Sequence, residues 1–451
     1  MMKITVAGAG AGKTTTMAET IIELHRRLNS KRIIYCITFT NNATRCIEEK
    51  LINYYGIIPS NIIISTIHSF LFREIIKPYY YILYGKEYEK ISICKLPDNP
   101  KYKNSYIGKL EDRNILHQTM IPERAKWVVV KKSGDRKLIN EKRKIIHQNL
   151  LKYIETICID EAQDIDNNMF EIINSINNVG INMILMGDPK QDLKGNYCFR
   201  KLIDFYPNLV NYEIRCYRCP QKHLKLSNLY VCDEEKQYSE KLTGEVNYYF
   251  ASDISCKELI NNNLFDLLYI SQKQSGYDTH IMSKTNDIRE SIAEELERLY
   301  QNKLQHLSKI KIASLSYYKA GKLISYYYEY NDKEKAMSKT FQSERIEKTS
   351  YARIINLLPE INHCGLNDTI FVNSIDIIKG MEGKNCLFIL TTDLAAYLFG
   401  EKRDDNKVKN KLYVALTRSL DKLTIYIDDK VEQKYGKCYI NDFFSKNISE
   451  N

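Results

Sequence analysis

The sequence has no apolar run long enough to cross a membrane and no early segment typical of an export signal. The longest early stretch without a charged residue, 52–72, carries Asn, Ser, Thr, Pro and His throughout, whereas a membrane span needs about 20 mostly apolar residues. A short apolar strand predicted at residues 3–6 leads directly into a glycine-rich turn, so we expect no secretory signal. We therefore expect a cytoplasmic protein with no membrane partner.

Low-complexity tracts and repeats of fixed period are also absent, and tryptophan occurs once. The 451 residues, 44% hydrophobic and 27% charged, are enough for two or three globular domains. The formal charge of +10 favours a polyanionic partner, although it is weak evidence alone. The twelve cysteines are predicted to be thiols. Cys216 and Cys219 form a C-x-x-C pair without a second close pair, so a metal site there stays a minor alternative.

The most informative segment lies near the start of the chain. Residues 7–14 read Ala-Gly-Ala-Gly-Ala-Gly-Lys-Thr, between the predicted strand and a helix predicted at 13–28. This order is typical of a P-loop, in which backbone N–H groups surround a phosphate at the positive end of a helix. Lys13 would reach the β- and γ-phosphates, and the Thr14 hydroxyl would hold Mg²⁺. The sequence therefore predicts an NTPase whose nucleotide-binding residues are Ala9, Gly10, Ala11, Gly12, Lys13, Thr14 and Thr15.

Apolar runs alternate with helical stretches in both halves, which predicts an α/β fold with parallel sheets. Strands are predicted at 33–38, 62–65, 156–159, 183–186, 246–250, 279–282, 371–374, 387–391 and 423–427, and a helix at 288–299. A stretch rich in Lys and Tyr interrupts each half. We predict a first domain at 1–70 plus 154–235 with a basic insertion at 71–153, and a second domain at 236–300 plus 367–451 with an insertion at 301–366.

Two carboxylates, Asp160 and Glu161, directly follow the strand predicted at 156–159. The carboxyl end of a parallel strand is where ligands bind in such folds. Asp160 is predicted to hold Mg²⁺, and Glu161 to orient and deprotonate the attacking water. The alternative is an acidic helix start that the helix dipole stabilises.

Three further polar residues are candidates for the same site. Gln191 ends the turn Gly-Asp-Pro-Lys-Gln and would sense the γ-phosphate by hydrogen bonding. Arg218 lies in Cys-Tyr-Arg-Cys-Pro, and Arg418 ends Tyr-Val-Ala-Leu-Thr-Arg in the second half. Arginine fingers stabilise the charge of phosphoryl transfer and make hydrolysis depend on domain closure. A surface salt bridge is the alternative for each arginine.

These motifs, taken in order, resemble those of the UvrD/Rep-type superfamily 1 helicases. The matching segments are 7–14, 38–43, 65–70, 160–164, 187–191, 217–220, 379–382 and 413–418. The resemblance implies two RecA-like domains with ATP in the cleft between them and single-stranded DNA across both, with translocation typically 3′ to 5′. It places at the nucleotide Lys13, Thr14, Asp160, Glu161, Gln191, Arg218 and Arg418, with Glu382 near the ribose. It places at the DNA strand Phe39, Thr40, Asn41, Thr66 and His68.

The sequence departs from this family in four places. The family usually has a segment before the P-loop whose Gln reads adenine; here the predicted strand begins at residue 3, so we expect adenine recognition to be loose or moved. Asp376 stands where the family usually has His. The aromatic residues that stack on bases are missing from 192–197, which leaves Tyr197 or Phe199 as substitutes. The interval between the motifs at 217–220 and 379–382 is short, so the second insertion is reduced. Duplex unwinding by this chain alone is therefore the least supported part of the resemblance.

The first insertion is strongly basic between residues 121 and 147, and Trp127 lies within that segment. Basic residues interleaved with an aromatic suit a groove that follows a nucleic-acid strand, while a solvated charged face is the alternative. We predict DNA contacts at Trp127, Lys131 and Lys132. The basic, tyrosine-rich stretch at 300–366 would bind either DNA or a protein partner.

Two functions remain. Compact members of the family include the helicase-like subunit of the Gabija antiphage system, which works beside an OLD-family nuclease, and this chain is similar to it in size and in its short second insertion. The first function is an ATP-driven motor on single-stranded DNA or at a single-strand/double-strand junction. The second is an ATP- and DNA-gated regulatory subunit of a nuclease complex, with little unwinding of its own. A small-molecule kinase would leave the motif at 413–418 unexplained.

Overall fold

The computed structural model describes residues 2–448 except 95, 98, 273, 275, 280, 305, 306, 308, 331, 343, 345 and 359–369. The strands are β1 (Met2–Ala7), β2 (Ile33–Thr38), β3 (Ile62–Thr66), β4 (Lys90–Ser92), β5 (Ile115–His117), β6 (Ile154–Ile159), β7 (Asn182–Gly187), β8 (Val210–Glu213), β9 (Glu245–Phe250), β10 (Leu267–Ile270), β11 (Tyr277–Asp278), β12 (Ile370–Phe371), β13 (Asn373–Ser374), β14 (Gly383–Leu390) and β15 (Ser419–Ile427).

The α-helices are α1 (Lys13–Arg27), α2 (Asn41–Tyr55), α3 (Ile67–Phe70), α4 (Lys77–Tyr84), α5 (Pro100–Glu111), α6 (Ile121–Val129), α7 (Lys137–Tyr153), α8 (Asn167–Val179), α9 (Cys198–Phe205), α10 (Gln221–Asn228), α11 (Cys256–Asn261), α12 (Ile281–Lys303), α13 (Lys309–Tyr330), α14 (Lys333–Phe341), α15 (Lys348–Leu357), α16 (Ile375–Ile378), α17 (Thr392–Leu398), α18 (Lys407–Leu416), α19 (Asp429–Tyr435) and α20 (Lys437–Ile448). A π-helical turn covers Leu71–Ile76, and short 3₁₀ turns cover Gln118–Met120, Ala162–Asp164, Pro189–Gln191, Pro207–Leu209 and Asp233–Glu235. In the described part of the chain, no helix combines the length and apolarity that crossing a membrane requires.

The first sheet has six strands in the order β3-β2-β6-β7-β1-β8, and each neighbouring pair is parallel. Its central strands are runs of Ile, Met and Leu buried on both faces, as parallel strands covered by helices must be. Alternate residues of β2 show this: Tyr35 and Ile37 enter one apolar core, and Ile34 and Cys36 enter another. The prediction of an α/β parallel-sheet fold is confirmed for this half.

The second sheet has five strands in the order β13-β10-β14-β15-β9. Strands β10, β14, β15 and β9 pair in parallel. Its core includes Phe388, Leu416, Ile425 and Phe444, so helices α18 and α20 pack against the strands. The second half is therefore also a parallel α/β layer structure, as predicted.

The structure divides into two compact units that do not coincide with the predicted domains, whose boundaries stay predictions. Both sheets lie in one compact unit formed by 1–91, 111–272 and 374–451, and a second unit contains 92–110 and 273–373. Helices α12 to α15 form the second unit around a core that includes Ile292, Leu296, Leu323 and Ile354. Helix α12 runs through residue 300 without a break, because its apolar stripe packs onto α13 rather than onto the second sheet. The end of the predicted insertion, 359–366, lies outside the described residues.

Most of the first insertion is not a separate body. Residues 71–91 and 111–153 belong to the same unit as the first sheet. Phe72, Val128 and Ile146 enter the same core as Ile4 and Ile157. The Lys- and Tyr-rich composition of this stretch predicted an insertion into the first domain, but its buried residues belong to the core of the first sheet.

Most predicted strands are confirmed, but two predicted strands differ and several short strands were not predicted. The strand predicted at 279–282 is wrong where it can be compared: residues 281 and 282 begin α12, and residue 280 is not described. The predicted strand at 371–374 is divided between β12 and β13, and β4, β5, β8, β10 and β11 were not predicted. Short strands of four residues or fewer carry too little periodicity to be recognised from sequence.

A buried ion pair fixes the basic insertion. The Nη2 atom of Arg143 lies 2.6 Å from Oδ2 of Asp135, and both side chains are about 5% exposed or less. The same guanidinium donates to the hydroxyl of Tyr84 and to the carbonyl oxygens of Trp127 and Val128. Removing one partner of such a pair leaves the other charge buried and uncompensated.

Replacing Arg143 with Met should therefore lower the free energy of unfolding by about 3–5 kcal/mol. Urea unfolding followed by tryptophan fluorescence measures this, because Trp127 lies beside the pair. Lys144→Met is the matched control, since Lys144 is the exposed neighbour on the same helix and should cost less than about 0.5 kcal/mol. Equal stability of the two variants would contradict a structural role for the pair.

Candidate functional site

The glycine-rich turn connects β1 to α1 at the carboxyl edge of the first sheet. Gly10 and Gly12 have φ angles of +69° and +77°, in the left-handed region that favours glycine. A Cβ atom at Gly10 would lie 2.4 Å from Cβ of Arg218, so a larger residue would not fit. Nζ of Lys13 lies 3.2 Å from the carbonyl oxygen of Gly8, across the turn. The backbone is therefore arranged to receive a phosphate at the N-terminus of α1.

The two predicted carboxylates follow β6. The Thr14 hydroxyl donates to Oδ2 of Asp160 at 3.3 Å, and Asp160 is fully buried. Burial, with the neighbouring carboxylate of Glu161, raises the pKa of Asp160 to about 7. A hydroxyl and a carboxylate that meet in this way are oxygen ligands of the kind that Mg²⁺ prefers. These two residues fit the predicted metal site.

Glu161 adopts an uncommon backbone conformation for its residue type. Its φ angle is +56°, and its N–H donates to Oδ1 of Asp160 at 2.9 Å. The side-chain amide of Gln163 donates to the Glu161 carboxylate. Such left-handed non-glycine residues cluster at active sites, where the surrounding structure holds them in place.

The turn at 187–191 follows β7, the neighbour of both β1 and β6. Nε2 of Gln191 donates to Oδ2 of buried Asp188 at 2.8 Å. Lys190 pairs with Asp188 at 3.1 Å and with Glu235 at 3.0 Å. Burial by itself would raise the pKa of Asp188, but the charges of Lys190 and Lys13, with hydrogen bonds from Gln191 and Lys190, together outweigh burial and lower the pKa. The amide of Gln191 is therefore held by an ionised carboxylate.

The two predicted arginines lie near each other. Nε of Arg218 lies 2.7 Å from Oε2 of Glu382, the residue expected near the ribose. Arg418 is fully buried and donates to the carbonyl oxygens of Val414 and Met381. Burial, with the positive charge of Arg218, lowers the pKa of Arg418 to about 10. The fold thus brings both arginines and Glu382 into one region.

A salt bridge links motifs from the two halves of the chain. Nζ of Lys379 lies 2.7 Å from Oδ2 of Asp164, and both side chains are less than a fifth exposed. The backbone N–H of Tyr217 also donates to the carbonyl oxygen of Gly10 at 2.9 Å. Segments 7–14, 160–164, 217–220 and 379–382 therefore meet at one place.

Two residues at this place were missed from the sequence. The Tyr413 hydroxyl accepts a hydrogen bond from the N–H of Ala9 at 2.9 Å and donates to Oε1 of Gln237 at 2.8 Å. Nε2 of Gln237 donates to the carbonyl oxygen of Ala9 at 3.1 Å. Tyr413 belongs to a recognised motif in which only Arg418 was singled out, whereas Gln237 lies in no motif, so no sequence signal pointed to it.

The residues predicted at the DNA strand lie at or just after the C-terminal ends of β2 and β3, which are adjacent. Phe39 is half-buried against the first core, and Asn41 is exposed. Thr40 and Thr66 cap the N-termini of α2 and α3 through their side-chain oxygens. His68 is half-buried, and burial lowers its pKa. All five therefore follow the same sheet edge as the P-loop.

The residues predicted in the basic insertion have different exposures. Lys131 is exposed, whereas Nζ of Lys132 lies 3.7 Å from the centre of the Trp127 ring. The Arg124 guanidinium lies 4.4 Å from the same ring. Two cations therefore contact this indole, which is also half-buried against the core.

Of the two proposed stacking substitutes, Phe199 is 1% exposed and packs in the first core, while Tyr197 is 38% exposed. Tyr197 lines a cavity of about 1130 Å³ together with Lys402, Arg403 and Phe443. Asp376, at the position of the family's histidine, pairs with Lys411 at 2.6 Å.

Comparisons with known proteins show which families this chain is similar to. Residues 1–196 match the family model described as an AAA domain. The chain is 23% identical to the Gabija protein GajB of Bacillus cereus (strain VD045), over 99% of this chain and 97% of that protein. It is 25% identical to the ATP-dependent DNA helicase Rep of Buchnera aphidicola subsp. Schizaphis graminum (strain Sg), over 54% of this chain and 44% of Rep.

The chain is similar to the UvrD/Rep-type helicases. This confirms the resemblance seen in the motifs. The two parallel sheets correspond to the RecA-like domains of these P-loop proteins, and the chain is helicase-like.

The C-x-x-C pair has a different environment from a metal site. Cys216 and Cys219 are buried thiols, and the N–H of Cys219 donates to Sγ of Cys216 at 3.3 Å. The Cys219 thiol, with the charge of Arg218, lowers the pKa of Cys216 to about 6. Among the described residues, His, Cys, Asp and Glu side chains form no cluster of three or more that could hold a metal ion.

The raised pKa of Asp160 predicts a pH-dependent stability of the ligand-free helicase-like protein. With a pKa of about 7 when folded and about 4 when unfolded, the folded state binds more protons between these values, so stability falls as the pH rises through that window. Asp160→Asn removes this penalty and should raise the free energy of unfolding at pH 8 by more than about 1 kcal/mol. Urea unfolding without Mg²⁺ measures the gain, which should vanish near pH 4.

Asp204→Asn, at an exposed carboxylate of α9, is the control and should give no pH-dependent gain. A gain for Asp160→Asn that is the same at both pH values would contradict the burial of an ionised carboxylate.

Proposed function

We propose that this chain is an ATP-dependent DNA translocase that hydrolyses ATP between its two RecA-like domains while moving 3′ to 5′ on single-stranded DNA. The observation that carries the proposal is the meeting of the P-loop, Asp160 and Glu161 with Arg218 and Arg418. Groups that bind phosphate, activate water and stabilise developing charge are the parts that phosphoryl transfer requires.

Each group has a role in this reaction. The backbone from Ala9 to Thr15 and the Lys13 ammonium hold the phosphates, and Glu161 orients the water and accepts its proton. Mg²⁺, held by Thr14 and Asp160, would neutralise phosphate charge when bound. Gln191 senses the γ-phosphate by hydrogen bonding to it. Arg218 exchanges its contact with Glu382 for the transferring phosphoryl group, and Arg418 adds a second positive charge.

The decisive experiment is the rate of ATP hydrolysis by the purified chain, with and without single-stranded DNA. A motor should be stimulated by the DNA, because the strand and the nucleotide contact the same pair of domains. Hydrolysis that DNA does not change would contradict translocation. Strand-displacement assays on substrates with 3′ or 5′ overhangs then test polarity.

Glu161→Gln should lower kcat for ATP at least about 100-fold, because a positioned general base contributes about 10²–10⁴ to the rate. ATP affinity should remain, since the P-loop is unchanged, so filter binding should recover bound ATP. Glu155→Gln is the matched control on the same strand and should hydrolyse normally. Normal turnover by Glu161→Gln would rule out its assignment as the base.

The DNA strand is proposed to follow Phe39, Thr40, Asn41, Thr66 and His68 along the carboxyl edge of β2 and β3. Lys131, Lys132 and Trp127 extend this surface in the basic insertion. Tyr197, in the cavity beside positively charged side chains, supplies an exposed ring at which a base can stack.

Neutralising the lysines separately tests this path. Lys131→Ala and Lys132→Ala should each weaken single-stranded DNA binding and reduce the slope of log K against log salt concentration by about one. Fluorescence anisotropy at several salt concentrations measures the slope. Lys430→Ala, at an exposed lysine of α19, should leave it unchanged. An unchanged slope in Lys131→Ala and Lys132→Ala would indicate that this segment is a solvated charged face that does not contact DNA.

A second function is favoured by the similarity to Gabija protein GajB over almost the whole of both chains. In this version, ATP and DNA binding gate an associated OLD-family nuclease, and the chain unwinds little DNA itself. Strong ATP hydrolysis without strand displacement, combined with ATP-dependent activation of a co-purified nuclease, would favour it over the motor.

A further inference from the structure

Ala9, Gln237 and Tyr413 form a closed ring of hydrogen bonds behind the phosphate loop. The N–H of Ala9 donates to the Tyr413 hydroxyl at 2.9 Å, which donates to Oε1 of Gln237 at 2.8 Å. Nε2 of Gln237 donates back to the carbonyl oxygen of Ala9 at 3.1 Å. Both side chains are less than 5% exposed, and Ala9 is fully buried. One peptide group on each side of Ala9 is thus tied to residues far away in the chain.

The site is shaped for this contact. A Cβ atom at Gly8 would lie 2.2 Å from the side-chain amide of Gln237, so the amide reaches the loop only because residue 8 is glycine. On its other side, the Tyr413 ring lies 5.1 Å from Nζ of Lys190, which pairs with Asp188 beside Gln191. Tyr413 therefore contacts both the phosphate loop and the turn that carries Gln191.

Tyr413 is also rigidly connected to Arg418. It lies near the C-terminal end of α18, and its carbonyl oxygen accepts from the Thr417 hydroxyl at 2.8 Å. Nη2 of Arg418 in turn donates to that Thr417 hydroxyl at 3.2 Å. Any displacement of α18 from the first sheet therefore moves Arg418 and at the same time breaks the hydrogen-bond ring at Ala9.

We propose that Gln237 and Tyr413 are positioning residues that couple the conformation of the phosphate loop to the position of α18. In the docked arrangement, α18 lies against the first sheet, and Arg418 is placed with it. This inference rests on the proposed ATPase function. The ring favours the docked arrangement, because undocking would leave the Ala9 N–H and the Gln237 amide without their partners in a buried setting. The apparent affinity for ATP then depends on the fraction of molecules that are docked.

The proposal predicts that variants of the ring raise KM for ATP and leave kcat nearly unchanged. Tyr413→Phe removes two hydrogen bonds of the ring while keeping the aromatic ring in place. The docked fraction falls, so KM for ATP should rise about tenfold. Saturating ATP restores docking, so kcat should stay within about threefold of the wild type. Gln237→Leu removes the two hydrogen bonds of the side-chain amide, one of which is shared with Tyr413, and should give the same pattern.

Tyr269→Phe is the matched control. Tyr269 of β10 is also fully buried, and its hydroxyl donates to the carbonyl oxygen of Ala415 in α18 at 2.7 Å rather than to the phosphate loop. This variant should leave KM unchanged. A similar rise of KM in Tyr269→Phe, or no rise in Tyr413→Phe and Gln237→Leu, would overturn the inference.

The double variant sharpens the test. Because both residues belong to one ring, Tyr413→Phe with Gln237→Leu should raise KM much less than the product of the two single effects. If KM of the double variant instead rises by the full product of the two single effects, the residues act independently, and the proposed coupling is overturned. Thermal unfolding of each variant establishes that the assays are run on folded protein.

Binding of a fluorescent, non-hydrolysable ATP analogue separates the two proposals. If the wild type binds the analogue without hydrolysing ATP, the proposed function fails, but the expected tenfold loss of analogue affinity in Tyr413→Phe still tests the ring. If the wild type hydrolyses ATP and Tyr413→Phe binds the analogue as the wild type does, the inference alone fails. Absence of any nucleotide binding by the wild type would overturn both.

Discussion

The parallel alignment of β6, β7 and β1 is the constraint on which the candidate site depends. These strands are neighbours in the first sheet, and each ends at the same edge. The residues that follow them, Asp160 and Glu161, the 187–191 turn and the phosphate loop, are therefore brought together although they are far apart in the chain. Because β2 and β3 continue the same sheet, the segments proposed to bind DNA emerge at that edge too. One sheet thus places the candidate nucleotide site and the segments proposed to bind DNA side by side.

The contribution of the second half depends on buried and partly buried polar contacts, in which Glu382 alone is exposed. Lys379 pairs with Asp164, Arg218 with Glu382, and Tyr413 bonds to Ala9. Beneath them, the buried carboxylate of Glu235 joins Lys190 and Arg200. Such groups are costly to bury unless each has its partner. Because each polar group needs its own partner, these pairs favour one relative arrangement of the motifs. An apolar interface of the same size would distinguish less between arrangements.

The sequence predicted the parts of the site that follow strong local rules. The glycines, Lys13 and Thr14 stand in an order that a phosphate loop requires, and Asp160 and Glu161 end an apolar strand. The structure places these groups together. Gln237 was not predicted, because an isolated glutamine in an irregular segment carries no periodic or motif signal. Helix α12 continues through the predicted boundary at residue 300, and an apolar helical stripe does not reveal from sequence which core it enters.

The sequence by itself determined the local elements of this protein: the phosphate loop, the buried parallel strands with their helices, and the polar residues that end those strands. Local chemistry is sufficient there, because glycine conformations, strand periodicity and helix capping act over a few residues. Only the tertiary structure decided which distant groups meet: the ring of Ala9, Gln237 and Tyr413, the pairing of Arg218 with Glu382, and the joining of the basic insertion to the first core. These depend on how helices and sheets pack, and packing is set by the shape and burial of surfaces that are distant from one another in the chain.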